Sequence, residues 1–202
     1  MPDISDTGSS PTRIGILGGS FNPVHTGHLS LAEYIDSHTP LSQVWLMLSP
    51  LNPLKADPSQ LIDDRHRLEM LRIATEGNPR IRPCDIELSM PRPSYSYDSL
   101  SRLSELHPEA RFSLIIGSDN WLIFDRWKHH DEIVSRFSPV IYPRPGYDVD
   151  PASLPPGVTL IDAPVYDISS TAIRNAIAAG EPAGPGLSPG VADYINDNHL
   201  YR

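Results

Sequence analysis

Two histidines, His25 and His28, stand three residues apart directly behind a glycine-rich run, Gly18-Gly19-Ser20-Phe21-Asn22-Pro23-Val24. Imidazoles at i and i+3 can face one ligand, and a helix N-terminus presents backbone N–H groups that favour an anion, which glycine lets approach closely. The chemistry indicated is the handling of phosphate. Gly-Gly turns are common, however, and a histidine is often only structural. A second segment of the same kind is Asp167-Ile168-Ser169-Ser170-Thr171-Ala172-Ile173-Arg174. Ser169 or Ser170 can cap a helix whose first-turn N–H groups would hold phosphate oxygens, with Arg174 one turn further on. Read alone, this segment is better explained as an ordinary cap followed by a solvated arginine. Between the two lies Ile115-Ile116-Gly117-Ser118-Asp119, an apolar run entering a glycine turn. Asp119 can accept bonds from ribose hydroxyls, help order a metal and its waters, or simply serve as the N-cap of the next helix.

These residues need a frame, and the apolar pattern supplies one. Strands are expected at 13–18, 43–49, 80–87 and 111–117, alternating with helices at 26–38, 63–76 and 96–107. Further helices are expected near 119–123, 130–136, 170–179 and 189–198, with short strands near 138–142 and 158–162. This is the rhythm of βαβ units, so the fold class expected is α/β: a doubly wound parallel sheet in a single domain over 12–202, preceded by a disordered tail at 1–11. In such sheets ligands sit at the carboxyl ends of the strands where strand order reverses, and the Gly18 turn lies at one such end.

Composition narrows the partners. The 202 residues carry 25 acidic against 16 basic side chains, a formal charge of −9, which argues against a broad electrostatic grip on nucleic acid. No apolar stretch is long enough to span a membrane, and the N-terminus lacks the pattern of a secretory signal, so a cytoplasmic location is expected. The single cysteine, Cys84, has no partner for a disulfide or a zinc cluster and reads as a small, half-buried strand residue. The 22 prolines cluster at 50–58, 79–93, 139–156 and 182–189, marking long loops. The 143–156 loop is too irregular to place.

The strand followed by Gly-Gly-Ser-Phe-Asn-Pro-x-His-x-Gly-His resembles the signature of the nucleotidylyltransferase superfamily, and Ile168-Ser169-Ser170-Thr171-x-Ile173-Arg174 resembles its second, phosphate-clamping signature. Three further segments resemble the nicotinate-nucleotide adenylyltransferases within it. They are the proline-rich loop from Ser49 to Lys55, Pro93-Ser94-Tyr95-Ser96-Tyr97-Asp98-Ser99-Leu100, and Phe124-Asp125-Arg126-Trp127-Lys128. The resemblance runs from Arg13 to the C-terminal Tyr194-Ile195 and Leu200-Tyr201.

It implies transfer of the adenylyl group of ATP to nicotinate mononucleotide, with magnesium accompanying ATP and held mainly through water. His25, His28, Lys55 and Arg174 would be catalytic. ATP would be bound by Gly18, Gly19, Ser20, Phe21, His25, His28, Gly117, Asp119, Ile168, Ser170, Thr171 and Arg174. The mononucleotide would meet Asn22, Lys55, Ser96, Trp127 and Lys128, the indole stacking on the charged pyridinium ring. Trp127 is equally a core aromatic, Lys55 equally a solvated charge, and Arg65, His66 and Arg67 are explained almost as well as solvated helix charges. Neither nucleic acid nor membrane is expected as a partner, and a homo-oligomer is left open. Asn22 departs from the aspartate of many relatives, and Leu51 and Leu54 make the Lys55 loop less polar. An adenylyl- or cytidylyltransferase with another acceptor, and a nucleotide-binding module without catalysis, are the competing readings.

Overall fold

The computed structural model describes residues 11–50, 61–181 and 186–202. The expected N-terminal tail, apart from Pro11, and Lys55 with its loop therefore lie outside the described residues. The strands are β1 (Thr12–Gly19), β2 (Gln43–Leu48), β3 (Ile81–Cys84), β4 (Ala110–Gly117), β5 (Val140–Tyr142) and β6 (Thr159–Leu160). The helices are α1 (Thr26–His38), α2 (Asp64–Thr75), α3 (Ser96–Leu106), α4 (Ser118–Trp121), α5 (His130–Phe137), α6 (Ser170–Ala178) and α7 (Pro189–Asp197).

All strand pairs are parallel, in the order β3-β2-β1-β4-β5-β6. A parallel sheet covered on both faces needs strands that are apolar throughout, and Ile14, Ile16 and Leu17 of the central β1 are all buried. On one face, Leu31 and Ile35 of α1, Leu71 of α2, Ile173 of α6 and Ile195 of α7 join one apolar cluster. On the other, Leu100 and Leu103 of α3 and Ile133 and Phe137 of α5 join a second. The sheet is thus doubly wound as expected, and strand order reverses between β1 and β4, which are neighbours with Leu17 opposite Ile115.

The deviations from expectation are local. The third strand ends at Cys84 and is followed by a 3-10 turn over Ile86–Ser89, although residues 80–87 carry strand-like alternation. The fifth strand starts at Val140, because Ser138 takes a left-handed φ of 37° that a strand cannot contain. In the 143–156 loop an isolated bridge joins Arg144 to Tyr147, with Gly146 at a φ of 80° between them, and a short turn at Pro151–Ser153 is capped by the Asp150 carboxylate. Cys84 is buried, and burial pushes its thiol up to about 11, so it stays protonated and unreactive. Among the described residues, no helix is long and apolar enough to cross a membrane.

Candidate active site

The loop between β1 and α1 is built around Phe21, whose backbone is left-handed at a φ of 43° and whose ring folds back over Gly19. A Cβ on Gly19 would lie 2.9–3.1 Å from three ring atoms, so only glycine fits. Gly18 is different: an added Cβ would meet only Met47 Cε, at 3.7 Å, and the residue is exposed. The protein's own packing therefore does not demand glycine there.

Arginines hold this loop by its carbonyl groups. Arg67 Nη1 donates to the Ser20 carbonyl at 2.7 Å, and Arg174 Nη1 donates to the Asn22 carbonyl at 2.9 Å. Because a trans peptide sets C=O and the next N–H in opposite directions, fixing the Ser20 carbonyl turns the Phe21 N–H away from Arg67. The start of α6 docks on the same loop, with Ser170 Oγ donating to the Pro23 carbonyl at 3.0 Å. Ser169 is the N-cap, its hydroxyl accepting from the Ala172 N–H, while Thr171 Oγ1 lies 3.3 Å from Arg174 Nη2. The two phosphate-type segments, far apart in sequence, are thus in direct contact. Ile168 is half-buried just before this cap.

His25 and His28 stack, with ring centroids 3.6 Å apart and planes 23° from parallel. His25 is the N-cap of α1 and its N–H donates to His28 Nδ1 at 3.3 Å. A ring nitrogen that accepts a hydrogen bond carries no proton, so neutral His28 has its N–H at Nε2. The Phe21 ring meets His28 edge-on at 5.0 Å. His25 is 7 % exposed, and its Nδ1 is buried. Burial, reinforced by the positive charge of Arg144, pushes its pKa down to about 4, so the ring is neutral near pH 7. Gly27 makes room for it: a Cβ there would stand 3.1 Å from His25 Nδ1 and 3.3 Å from Tyr166 Cβ.

Across the strand-order reversal, the N-cap of α4 is Gly117 and no side chain caps the helix. Asp119 is therefore not the N-cap that its position suggested. Its Oδ1 is buried without a hydrogen-bond partner among the described residues and lies 3.9 Å from Arg144 Nε. Gly117 allows this approach, because a Cβ would collide with the Asp119 carboxylate and come within 3.2 Å of Arg144. Sequence reasoning missed Arg144; its place just past the carboxyl end of β5 was the available signal.

The remaining segments meet at the start of α3. Lys128 Nζ donates to Asp98 Oδ2 at 3.2 Å and sits 5.0 Å from the centre of the Tyr95 ring, which ties the 124–128 segment to the 93–100 segment. Ser96 opens α3, and its N-cap, Tyr95, places no side chain on the first-turn N–H groups. Trp127 is half-buried, leaning on Phe124 at 5.2 Å, with its indole N–H buried and unpartnered among the described residues. It is neither a fully buried core aromatic nor a free surface one.

The basic residues of α2 divide. Arg65 is exposed and paired with Asp63, whereas Arg67 is fully buried, which overturns its reading as a solvated charge. Besides the Ser20 carbonyl it bonds the carbonyls of Ser49, Pro50 and Ile62, and it pairs with Asp64. Its spacing from Met70 and Leu71 already placed it on the apolar face of the helix. His66 Nδ1 lies 2.9 Å from the Tyr194 hydroxyl, and the C-terminal Tyr201 hydroxyl donates to Asn22 Oδ1 at 2.9 Å. The Asn22 side chain thus anchors the chain end to the loop before α1.

The chain matches the cytidylyltransferase-like family over residues 16–176. It is 48% identical to a probable nicotinate-nucleotide adenylyltransferase of Bacteroides fragilis over 195 residues, covering 93% of this chain and 96% of that protein. A protein of the same description from Flavobacterium johnsoniae is 40% identical over 192 residues, covering 94% and 99%. Among solved structures, the Plasmodium falciparum nicotinic acid mononucleotide adenylyltransferase complexed with NaAD superposes with a TM-score of 0.76 at 24% identity, over 94% of this chain and 97% of that one. At that identity the likeness is one of fold.

Proposed function

The chain belongs to the cytidylyltransferase-like family, and from that premise we infer that it is a nicotinate-nucleotide adenylyltransferase, converting ATP and nicotinate mononucleotide to deamido-NAD and pyrophosphate in NAD biosynthesis. One observation carries the reading beyond kinship. A phosphate-type loop with two stacked histidines and a segment with a half-buried indole and a helix N-terminus belong to one sheet whose strand order reverses at β1 and β4.

In the reaction, a 5′-phosphate oxygen of the mononucleotide attacks the α-phosphorus of ATP in line. One P–O bond forms, the bond to the β-phosphate oxygen breaks, and pyrophosphate leaves. A phosphate monoester is already nucleophilic near neutral pH, so no general base is needed. Catalysis is positioning and charge stabilisation. His28, protonated at Nε2, would donate to a phosphate oxygen. His25, neutral near pH 7, would do the same from its other ring nitrogen, Nε2. Arg174, the α6 start and Lys55 would hold the triphosphate. The pyridinium ring would lie on Trp127, and its carboxylate, which only accepts hydrogen bonds, suits the N–H groups at Ser96 and Lys128 better than an amide would.

Among the described residues no group of three His, Cys, Asp or Glu side chains is placed to hold a metal directly. The donor set fits an ion carried by the triphosphate, and Asp119, whose Oδ1 has no hydrogen bond among the described residues, would help order the waters of such an ion. Magnesium bound in this way supplies charge neutralisation on the phosphates.

Pyrophosphate release from ATP and nicotinate mononucleotide tests the reading. The wild type should turn over, and His28→Ala should lower kcat by about 100-fold or more while changing the KM for ATP little. Near-normal turnover in that variant would refute the mechanism, and an inert wild type would refute the activity.

A further inference from the structure

Glu87 is a carboxylate only 3 % exposed, and nothing in the mechanism above uses it. A buried carboxylate is stable only when its oxygens are bonded, and here three serine hydroxyls do it. Ser49 Oγ and Ser94 Oγ both donate to Oε2 at 2.8 Å, and Ser99 Oγ donates to Oε1 at 2.7 Å. The three serines come from three places: the end of β2, the turn before α3, and the first turns of α3. Glu87 itself is presented by the 3-10 turn that interrupts the expected third strand. The same Ser49 gives its carbonyl to the buried Arg67, whose other bonds reach the Ser20 carbonyl of the loop before α1.

We propose that Glu87 is a positioning residue for the acceptor substrate, its carboxylate gathering Ser49, Ser94 and Ser99 so that the start of α3 keeps the place where its first N–H groups meet the pyridine carboxylate. The proposal rests on the adenylyltransferase reading given above. Four features support it. The carboxylate is buried. All three of its bonds, at 2.7–2.8 Å, are accepted by one carboxylate, the stronger class of acceptor. Two of the three donors, Ser94 and Ser99, flank Tyr95 and Ser96. Through Ser49 the network also touches the arginine that holds the phosphate-side loop, but it does so by one bond against two at α3. Loss of the carboxylate should therefore be felt first by the acceptor, and by ATP much less.

The test is steady-state pyrophosphate release with each substrate varied in turn, for wild type, Glu87→Ala, Glu87→Gln and Ser94→Ala, together with thermal unfolding of each. The wild type must first use nicotinate mononucleotide; if it does not, the activity reading fails and the proposal falls with it. Given that activity, Glu87→Ala should raise the KM for nicotinate mononucleotide about tenfold or more and the KM for ATP by no more than about twofold, the scale of one lost charge-assisted bond. Glu87→Gln, which keeps one acceptor oxygen, should recover part of the loss. The preference for the acid over nicotinamide mononucleotide should narrow in Glu87→Ala. If that variant does not fold, Ser94→Ala removes one donor and should show the same split on a smaller scale. A variant that melts lower but has unchanged KM values, or in which both KM values rise together, would overturn the proposal by making Glu87 a purely structural residue.

Discussion

The phosphate side and the acceptor side of the site are fixed by opposite charges. On the phosphate side, buried or half-buried guanidinium groups grip backbone carbonyls: Arg67 on Ser20 before α1, on Ser49 and Pro50 after β2 and on Ile62 before α2, and Arg174 on Asn22 before α1. Before α3, a buried carboxylate grips hydroxyls, those of Ser49, Ser94 and Ser99. The difference teaches how one fold holds two unlike ligands. The cation that takes up the Ser20 carbonyl leaves the Phe21 N–H directed elsewhere, as an anion site requires, while an anion that takes up hydroxyls leaves the peptide bonds of the α3 start undisturbed.

The comparison breaks most readily at Arg67. Replacing it with methionine leaves several buried carbonyls without their donor and Asp64 with Arg92 alone, and the expected cost is about 3–5 kcal/mol of folding stability in urea titration. A loss below about 1 kcal/mol would mean that the grip on the phosphate-side loop is supplied by something else.

Acid should weaken the phosphate side next. The folded pKa of His25 is about 4, below the ordinary 6.5, so the unfolded chain takes up its proton first as pH falls. Stability from this group is complete above about pH 6.5 and is lost progressively down to about 4, amounting to about 3 kcal/mol. Unfolding curves at pH 7 and pH 4.5 should show this loss in the wild type and not in His25→Gln. Equal acid sensitivity in both proteins would place the titrating group elsewhere.

A smaller effect sharpens the role of the ring position itself. Gly27→Ala puts a Cβ 3.1 Å from His25 Nδ1, so the ring must shift, and kcat should fall about tenfold with the acceptor KM nearly unchanged. Trp127→Ala should do the reverse on the other side, raising the KM for nicotinate mononucleotide by about three- to tenfold, the scale of one stacking contact, with ATP unaffected. If either variant disturbs both substrates alike, the two sides are not independent.

Much of this was legible in the sequence. Helix α1 begins and ends where its glycine-histidine motif and apolar spacing place it, and the alternation of apolar runs and helical patterns suffices for the doubly wound sheet. The third strand was overextended because Cys84 to Leu88 alternates like a strand. The turn there is stabilised by the bonds of Glu87 to serines 7, 12 and 38 residues away, which a local pattern cannot register. Arg67 and Glu87 share one reason for being misread or missed: a charged residue is expected at the surface, and most of the groups that satisfy these two are backbone carbonyls for Arg67, beside Asp64 one turn earlier, and serine hydroxyls for Glu87. Asp119 illustrates the converse, since a residue type suited to an N-cap stands as the second residue of α4 and leaves its Oδ1 without a hydrogen bond among the described residues.

The central claim is that one side of the site holds ATP phosphates and the other recognises a pyridine carboxylate. Its most direct measurement is kcat/KM of the wild-type protein for nicotinate mononucleotide and for nicotinamide mononucleotide, at saturating ATP and magnesium, by pyrophosphate release. The expected result is turnover with both products identified as dinucleotides and a preference for the acid of about tenfold or more, as follows from replacing an accepting carboxylate by a donating amide against N–H groups. Equal use of the two, or preference for the amide, would contradict the account.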